Sequence, residues 1–473
     1  MWVCINPRQQ QVRGSLMEPQ AMACQPPGPR RWFSHFGKGP TMSNENTSQA
    51  DIAKQALGPI AGNRWVQLAA GVIAMVVISN FQYAFTLFTP GLKAQFASVP
   101  YSDIALIYTL FILFETWPVP LAGYFIDRFG IRNLMLIGAV LITLGWVGGG
   151  MYATSVFHLY ISYGVLAGTG AGIIYIATVA NAVKWFPDKR GLAAGLTAAG
   201  FGGGSALTLI PISGSIASMG WAGAMTTWGI GQGVIAILAA LVLHHPPKGW
   251  LPANAVPPQA VVQTRKEFSA MQMLSQKEFY VMYFMFVVVC TGGLMTTGNM
   301  SQIAKSLNVY DAKVWGIAIV PFVATIAGVT NAFARIMWGA VSDRFGREYT
   351  MAFAFAIEGV LIFLMTQISG SPIAFMILMP FVFLAWGEIY ALFSAITGDV
   401  FGPKNASGNY GILYTAKGLA SILAGWGAAA LAAMYAGSFS VPYYISSFFD
   451  ICAAVVALYI LRPIIRKRIA GET

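Results

Sequence analysis

The chain has 473 residues, enough for about three soluble domains at the usual roughly 100–200 residues each. Its composition excludes that arrangement, because only 10% of the residues are charged and 56% are hydrophobic, which leaves too few charges to cover a soluble surface. The net charge of +11 does not indicate a nucleic-acid partner, since the basic residues lie between apolar runs and form no single patch. The sequence therefore predicts an all-α membrane protein with many spans.

The first 62 residues lack an apolar core, so they match neither a signal peptide nor a membrane span. We expect residues 1–62 to form a disordered cytoplasmic tail, and residues 1–41 to be an extension upstream of a start at Met42. The four cysteines and four histidines show no metal-binding spacing, and the chain has no phosphate-binding loop. We therefore expect no metal, no cofactor and no catalytic residue.

Twelve apolar runs follow, each long enough to cross a hydrocarbon core of about 30 Å as a helix. The runs are continuous, without the alternation of a membrane β-barrel, and they contain the Gly and Pro that membrane helices tolerate. A polar linker at 244–275 separates six runs from the next six, and residues 464–473 form a short cytoplasmic tail. The predicted spans are 65–90, 103–125, 131–152, 157–184, 189–213, 221–243, 276–300, 312–340, 349–368, 372–399, 407–433 and 438–462.

Basic residues mark one side of the predicted bundle. Arg132, Lys189, Arg347 and Arg466 all fall on the same side as the linker, whereas the opposite loops are nearly uncharged. By the positive-inside rule, both termini and the linker are cytoplasmic. We expect a monomer in the plasma (inner) membrane, surrounded by lipid and without a nucleic-acid partner.

The chain also repeats itself. GYFIDRFG at 123–130 returns as GAVSDRFG at 339–346, an offset of 216 residues. The two copies follow spans 2 and 8, so the six-helix halves 63–243 and 276–463 have the same orientation. Parallel six-helix repeats joined by a linker are the architecture of major facilitator transporters. The expected fold is therefore twelve transmembrane helices in two pseudo-symmetric halves.

The doubled G-x-x-x-D-R-x-G loop resembles the major facilitator signature. Longer stretches resemble the oxalate/formate antiporter branch of that superfamily, and the similarity runs from Gly62 to about residue 463. The resemblance implies a secondary transporter of small organic anions that works by alternating access. The stretches are GNRW at 62–65, QYAFTL at 82–87, WFPDKRGLAAGLTAAG at 185–200, YALF at 390–393 and NYGILYTAK at 409–417.

Two cations lie in the middle of predicted spans. Arg335 in span 8 and Lys417 in span 11 are far from either interface, and a charge at the bilayer centre costs at least about 2.5–3.5 kcal/mol. Together they predict an anion site, in which Arg supplies a planar fork for a carboxylate and Lys a point charge. The alternative is that an intramembrane carboxylate neutralises each cation. The resemblance favours the anion site, because the antiporters have a basic residue at both positions and bind a dicarboxylate with them.

The repeat predicts a wall without charge opposite these two cations. Subtracting 216 from the positions of Arg335 and Lys417 gives Val119 and Phe201, so the first half lacks both cations. The first half is therefore expected to offer apolar and aromatic side chains, while the second half supplies the charge. The antiporters have Tyr at the position of Phe201, so the pocket differs in shape and the substrate need not be oxalate.

Aromatic side chains complete the predicted site. Trp386 and Tyr390 are spaced i, i+4 on one face of span 10. Tyr414 lies one turn before Lys417, where the antiporters have Trp. Ordinary packing is the alternative for each aromatic residue. The predicted substrate-binding residues, most of them implied by the resemblance, are Gln82, Tyr83, Tyr175, Arg335, Trp386, Tyr390, Tyr414 and Lys417.

Two intramembrane acids are candidate coupling sites. Glu115 in span 2 lies one turn before the counterpart of Arg335, and its own repeat mate is Asn331. It is a candidate counter-ion for a bound cation, a proton-coupling group, or a partner for Arg335 when the cavity is empty. Glu388 is two residues from both Trp386 and Tyr390 and should face away from them. Glu358 in span 9 is expected at the periphery.

The repeated loops predict a gate. Asp127 with Arg128, and Asp343 with Arg344, lie at the cytoplasmic ends of spans 2 and 8. There a carboxylate and a guanidinium can pair across two helices and hold the inward gate shut. Plain topogenic charge is the alternative, but it does not require the same order of residues twice.

These features predict carboxylate exchange of the oxalate/formate type. Arg335 and Lys417 bind the carboxylates, and the empty, doubly cationic site resists reorientation, which enforces exchange. The alternative is a proton-coupled monocarboxylate transporter with Glu115 carrying the proton. A membrane-embedded enzyme or a non-transporting sensor is disfavoured, because the chain has no catalytic cluster and only short terminal regions.

Overall fold

The computed structural model describes residues 56–247, 266–402 and 405–470, all within one compact unit, Thr47–Thr473. Eleven helical stretches among these described residues are long and apolar enough to cross a membrane. The longest, Leu192–Val242, comprises two spans, because Gly220 at φ 74° leaves the helical conformation in its middle. The predicted twelve-helix architecture is therefore confirmed. Most of the predicted tail at 1–62 and of the linker at 244–275 lies outside the described residues.

Spans 1–6 form the first half. Span 1 begins where the Asn63 side chain accepts a hydrogen bond from the backbone N–H of Trp65, a standard helix cap. Span 2 is interrupted before Pro118, whose ring cannot continue the hydrogen-bond ladder. The helices of the first half are Arg64–Tyr83 with Phe85–Gln95, Tyr101–Thr116 with Val119–Phe129, Ile131–Tyr152, Val156–Leu159 with Tyr160–Ala167 and Gly168–Trp185, Arg190–Gly203 with Gly204–Leu207, and Leu209–Val242.

Spans 7–12 form the second half. A short helix, Ala270–Leu274, precedes span 7, and a two-residue hairpin, Lys313–Val314 paired with Ile317–Ala318, precedes span 8. Several helices extend beyond the predicted spans, but span 8 begins at Ile319 and not at 312, because the hairpin occupies those residues. The helices of the second half are Lys277–Ser306, Ile319–Phe345, Arg347–Met365, Pro372–Trp386 with Glu388–Phe401, Ala406–Ser421 with Ile422–Gly427 and Ala428–Met434, and Ser440–Val456 with Ala457–Leu461 and Arg462–Ala470.

The two halves are joined by hydrogen bonds at one end of the bundle, which we call the closed end. Three bonds link Thr86 of span 1 to Ser301 of span 7: the Ser301 N–H to Thr86 Oγ1 (2.8 Å), Ser301 Oγ to the Thr86 carbonyl (2.7 Å), and Thr86 Oγ1 to Ser301 Oγ (3.1 Å). Tyr101 Oη donates to Asn299 Oδ1 at 2.9 Å nearby. Both Thr86 and Ser301 are buried. Polar contacts between halves thus hold this end shut.

At the opposite end the halves separate around a cavity of about 530 Å³. The cavity runs from Tyr175 and Tyr414 to Asp343 and Arg347, and spans 2, 4 and 5 face spans 8, 10 and 11 across it. We call this end the basic end, because the predicted cytoplasmic loops, including the one with Lys189, lie there. The described conformation is therefore closed at one end and accessible from the basic end.

Replacing Ser301 by Ala is expected to favour opening of the closed end. The change removes two of the three bonds between Thr86 and Ser301, each worth about 0.5–1.5 kcal/mol net. Opening should therefore become several-fold more populated. The measurement is labelling of a cysteine placed at Thr89 by a membrane-impermeant thiol reagent. Ser162→Ala, which removes a buried hydroxyl within one half, is the matched control. Equal labelling rates in both variants would contradict the role of this contact.

Candidate functional site

Arg335 lies in the middle of span 8, only 5% exposed, and faces the cavity. Its Nη1 donates to the Ala198 carbonyl of span 5 at 3.1 Å, and its Nε donates to Asn331 Oδ1 one turn away at 3.3 Å. The guanidinium carbon lies 4.3 Å from the centre of the Tyr390 ring. Nη2 is buried and has no hydrogen-bond partner. Among the described residues this guanidinium thus keeps a free donor, without a carboxylate beside it.

Gly202 explains how the long Arg335 side chain fits against span 5. A Cβ at Gly202 would lie 2.7 Å from Arg335 Nε, closer than real Cβ atoms approach. Glycine therefore leaves the space in which the guanidinium lies flat between span 5 and Tyr390. The small-residue run of span 5 thus serves a specific contact between the two halves.

Lys417 is not the unpaired cation that the sequence predicted. Its Nζ lies 2.8 Å from Glu115 Oε2 and 3.0 Å from Oε1, and both side chains are fully buried. Nζ also donates to Gln82 Oε1 at 2.9 Å and contacts Tyr414 Oη at 3.3 Å. The prediction of two free cations is therefore wrong for Lys417, because a carboxylate from span 2 of the other half neutralises it.

Glu115 accordingly pairs with Lys417 and not with Arg335, which was one of the three roles considered for it. Span 4 passes close to it, since a Cβ at Gly172 would lie 2.2 Å from the Glu115 carbonyl oxygen. With all three groups ionised, the central site carries one net positive charge, which resides at Arg335. A monocarboxylate balances that charge, whereas a dicarboxylate leaves the site negative unless Glu115 takes up a proton.

Aromatic rings surround both cations. Tyr175 of span 4 stacks on Tyr414 of span 11, with ring centres 5.4 Å apart and planes 9° apart, so the two halves meet ring to ring. Phe201 lies edge-on to Tyr83 and Tyr175, and the cations lie near its ring, Lys417 at 5.2 Å. The aromatic part of the predicted wall is thus present in the first half, but the carboxylate of Glu115 also lies in that wall, so it is not free of charge. Four predicted residues line the cavity, namely Tyr175, Arg335, Tyr390 and Tyr414.

Trp386 lies behind this wall. Its ring contacts Tyr390 edge-on at 5.5 Å, as the i, i+4 spacing indicates, and it packs against Gly293 of span 7, where any Cβ would collide with it. The helix breaks directly after it at Gly387, where span 10 approaches span 8 so closely that a Cβ would lie 2.6 Å from that of Ala334. Trp386 therefore supports Tyr390 and does not border the cavity.

The acids of the second half lie away from the cavity. Glu388 is fully buried and is not among the described residues that line the cavity, consistent with its place on the helix. Glu358 was expected at the periphery, and this expectation is wrong, because its side chain is fully buried. Asp450 of span 12, which the sequence analysis did not single out, is buried near both.

At the basic end, Asp343 pairs with Arg347 and not with the adjacent Arg344. Arg347 Nη1 lies 2.6 Å from Asp343 Oδ1, and its Nε donates to Asp399 Oδ2 of span 10 at 3.1 Å. Arg347 also donates to Ser342 Oγ. This network joins the ends of spans 8, 9 and 10 at the mouth of the cavity. In the first half, Arg128 lies in the last turn of the corresponding helix, while the side chain of Asp127 lies outside the described part of the structure.

Asn331 is a site residue that the sequence analysis noted only as a repeat mate. Its Nδ2 donates to Tyr83 Oη at 3.1 Å, and its Oδ1 accepts from Arg335 Nε, so it connects the two halves. The i, i+4 spacing to Arg335 was the signal that indicates this contact. No sequence signal indicates the Ala198 carbonyl, since every residue has one.

Two kinds of comparison bear on the family. The model of the Major Facilitator Superfamily matches residues 70–319 and 282–472. The "Oxalate:formate antiporter" of Oxalobacter formigenes is 32% identical over 422 residues, which cover 89% of this chain and 95% of that protein. "Monocarboxylate transporter 4" of Gallus gallus is 26% identical over 362 residues, which cover 73% of this chain and 73% of that protein.

Solved structures agree on the fold. The crystal structure of a D-xylose-proton symporter superimposes with a TM-score of 0.66 at 15% identity, covering 83% of this chain and 97% of that chain. Identity at this level bears on the fold alone. Together with the extent of the sequence matches, it places the twelve spans in the expected architecture. The chain belongs to the Major Facilitator Superfamily and is a multi-pass membrane transporter that resembles the oxalate/formate antiporter branch.

Proposed function

We propose that this protein exchanges small carboxylates across the plasma (inner) membrane by alternating access. The observation that carries the proposal is the Arg335 guanidinium, buried at the inner end of the cavity with Nη2 unpartnered. A buried donor without a partner costs free energy, and a carboxylate oxygen supplies the missing acceptor. The similarity to a protein named Oxalate:formate antiporter supports carboxylates as the substrate class.

Lys417 and Glu115 set the second part of the proposed site. A substrate carboxylate bound at Arg335 lies beside the Tyr390 ring, and a second carboxylate reaches Lys417 only by replacing Glu115 as its partner. Gln82 and Tyr414 keep their contacts with the ammonium during this exchange of partners. The site thus accepts a monocarboxylate at Arg335 directly and a dicarboxylate by displacing or protonating Glu115.

Alternating access follows from the contacts at the two ends. In the described conformation substrate enters from the basic end, which we propose is cytoplasmic with both termini and the linker. Reorientation breaks the bonds between Thr86 and Ser301 and closes the halves at the basic end. The halves 63–243 and 276–463 rock about the site as a monomer, the general scheme of this architecture. The Asp343–Arg347–Asp399 network is proposed to secure the second half during closure.

A second candidate function is proton-coupled transport of a monocarboxylate. The Glu115–Lys417 pair favours it, because one net positive charge matches one monoanion and Glu115 is placed to take a proton when Lys417 turns to substrate. The similarity to a protein named Monocarboxylate transporter 4 is consistent with this candidate. In this mechanism the proton replaces the counter-substrate.

Uptake into proteoliposomes distinguishes the two candidates. Vesicles preloaded with formate, oxalate, lactate or buffer are tested for uptake of labelled carboxylate, with and without a proton gradient. An exchanger requires an internal anion. Exchange of a dianion for a monoanion also moves one net charge, worth about 2.3 kcal/mol per 100 mV, so an interior-positive potential speeds uptake of the dianion. Uptake that follows an inward proton gradient and ignores the internal anion refutes exchange.

A further inference from the structure

Three carboxyl groups in the second half lie outside the substrate site. Glu358 of span 9, Glu388 of span 10 and Asp450 of span 12, here called the acid cluster, are each fully buried. Both oxygens of each side chain lack a hydrogen-bond partner. Glu358 lies within electrostatic range of the other two, and Glu388 within range of Asp450. The transport mechanism proposed above uses none of them.

A serine hydroxyl points into the same region. Ser446 Oγ of span 12 is 4% exposed and has no hydrogen-bond partner. A Cβ placed on Gly292 of span 7 would lie 2.8 Å from Ser446 Oγ and 3.3 Å from Glu358 Oε1. The same Cβ would lie 2.5 Å from Ile362 Cδ1, so the position is closely packed and both oxygens lie against it. A buried hydroxyl and a buried carboxyl that lie this close together without partners leave hydrogen-bonding capacity unused.

The described surroundings favour a proton over a metal ion. No group of three His, Cys, Asp or Glu side chains in the described part of the chain has metal-binding geometry. Other buried titratable groups of the adjoining helices include Cys290 of span 7, Tyr390 of span 10 and Tyr443 of span 12, whose hydroxyl lies 3.1 Å from Thr296 Oγ1. Cys290 lies within electrostatic range of both Glu358 and Lys417, and Lys417 is itself paired with Glu115.

The cost of burying charge determines whether the acid cluster holds protons. An ionised carboxylate buried without a cation or donor is strongly disfavoured, and three in one region also repel one another. A protonated carboxyl, in contrast, carries no charge, so its burial costs far less free energy than that of a carboxylate. The cluster therefore packs as observed when it holds protons, and it becomes unstable as those protons leave.

Span 10 connects the acid cluster to the substrate site. Glu388 follows the helix break at Gly387 and precedes Tyr390, whose ring contacts Arg335, by two residues. Opposite faces of one helix segment thus carry the cluster and the site. We propose that the acid cluster is a proton-binding site that holds span 10 against spans 9 and 12, so that loss of its protons slows transport. The inference rests on the proposed transport function and holds for either carboxylate mechanism.

The test compares the pH dependence of exchange in reconstituted wild type with that of Glu358→Gln/Glu388→Gln/Asp450→Asn, in which neutral amides imitate the protonated carboxyls. Wild-type exchange should fall at alkaline pH by up to about tenfold per pH unit, the limit for one required proton. The triple variant should keep its rate over that range. Glu278→Gln is the matched control, since Glu278 is a buried carboxylate outside the cluster, paired with Arg468 at 3.3 Å. Its pH profile should equal that of wild type.

A second measurement does not depend on transport. Acid–base titration of the purified proteins in detergent should show that the triple variant binds fewer protons than wild type in the alkaline range. Where the triple variant does not express, Glu388→Gln takes its place in both experiments. The inference is overturned if the triple variant binds as many protons as wild type, or if its exchange rate falls at alkaline pH as that of wild type does. It is also overturned if Na⁺ restores the rate of wild type at alkaline pH. If wild type carries no carboxylate, the proposed function is refuted instead. The expected difference in proton binding between wild type and the triple variant is unaffected by that result.

Discussion

Replacing Arg335 by Gln is expected to abolish carboxylate exchange while leaving the protein folded. The guanidinium is the charged group that keeps an unpartnered donor toward the cavity, and its attraction to a bound carboxylate is worth up to about 4 kcal/mol at an effective dielectric near 20. Loss of that attraction corresponds to roughly a thousandfold in affinity. No carboxylate beside Arg335 loses its partner in the described structure, so folding should be spared. Exchange rates measure transport, and substrate-induced thermal stabilisation in detergent measures the loss of affinity in the folded protein.

Arg335→Lys should fail almost as completely as Arg335→Gln. Lysine keeps the charge but loses the planar fork, and its single nitrogen cannot occupy the separate positions from which Nε and Nη1 contact Asn331 and Ala198. Arg462→Gln is the matched control, because Arg462 also lies over a tyrosine ring, that of Tyr349 at 4.1 Å, but outside the cavity. It should exchange at the wild-type rate. Wild-type exchange by Arg335→Gln would refute the assignment of the anion site.

Lys417→Gln on its own is expected to abolish transport and also to destabilise the protein. It leaves Glu115 buried in span 2 without its cation, and breaking a buried pair by removing one partner costs about 3–5 kcal/mol. The double variant Glu115→Gln/Lys417→Gln should regain most of that stability, since neither charge remains, yet it should not regain transport. Thermal unfolding and exchange assays on the single and double variants together form a double-mutant cycle. Equal stability of Lys417→Gln and wild type would show that the ion pair is not formed.

Glu115→Gln separates the two transport mechanisms. In an anion exchanger it frees Lys417 for substrate, so exchange persists and dicarboxylates bind more tightly, because no carboxylate competes for the ammonium. In a proton-coupled carrier, it removes the pH dependence and stops uphill accumulation while exchange at equilibrium continues. The measurements are inhibition of uptake by dicarboxylates and accumulation under an inward proton gradient. A variant that matches wild type in affinity, coupling and pH profile would remove Glu115 from the site.

Several features were predictable because they follow from local sequence. Twelve apolar runs give twelve spans, since a helix is the spanning structure that satisfies every backbone group within one continuous apolar run. The repeat of 123–130 at 339–346 indicated the two halves, and the uncharged residues Val119 and Phe201 indicated which half lacks the cations. The i, i+4 contact of Trp386 with Tyr390 also followed from spacing alone.

The tertiary structure decided which side chains pair with each other. Glu115 and Lys417 are 302 residues apart, and helical periodicity specifies the face of a residue within its own helix but not the neighbour that this face meets. For the same reason Glu358 is buried instead of peripheral. The sequence by itself determined the family, the spans and the two intramembrane cations. Only the packing of the halves determined that Arg335 keeps a free donor while Lys417 is already neutralised, because that difference depends on the helix that lies opposite each cation.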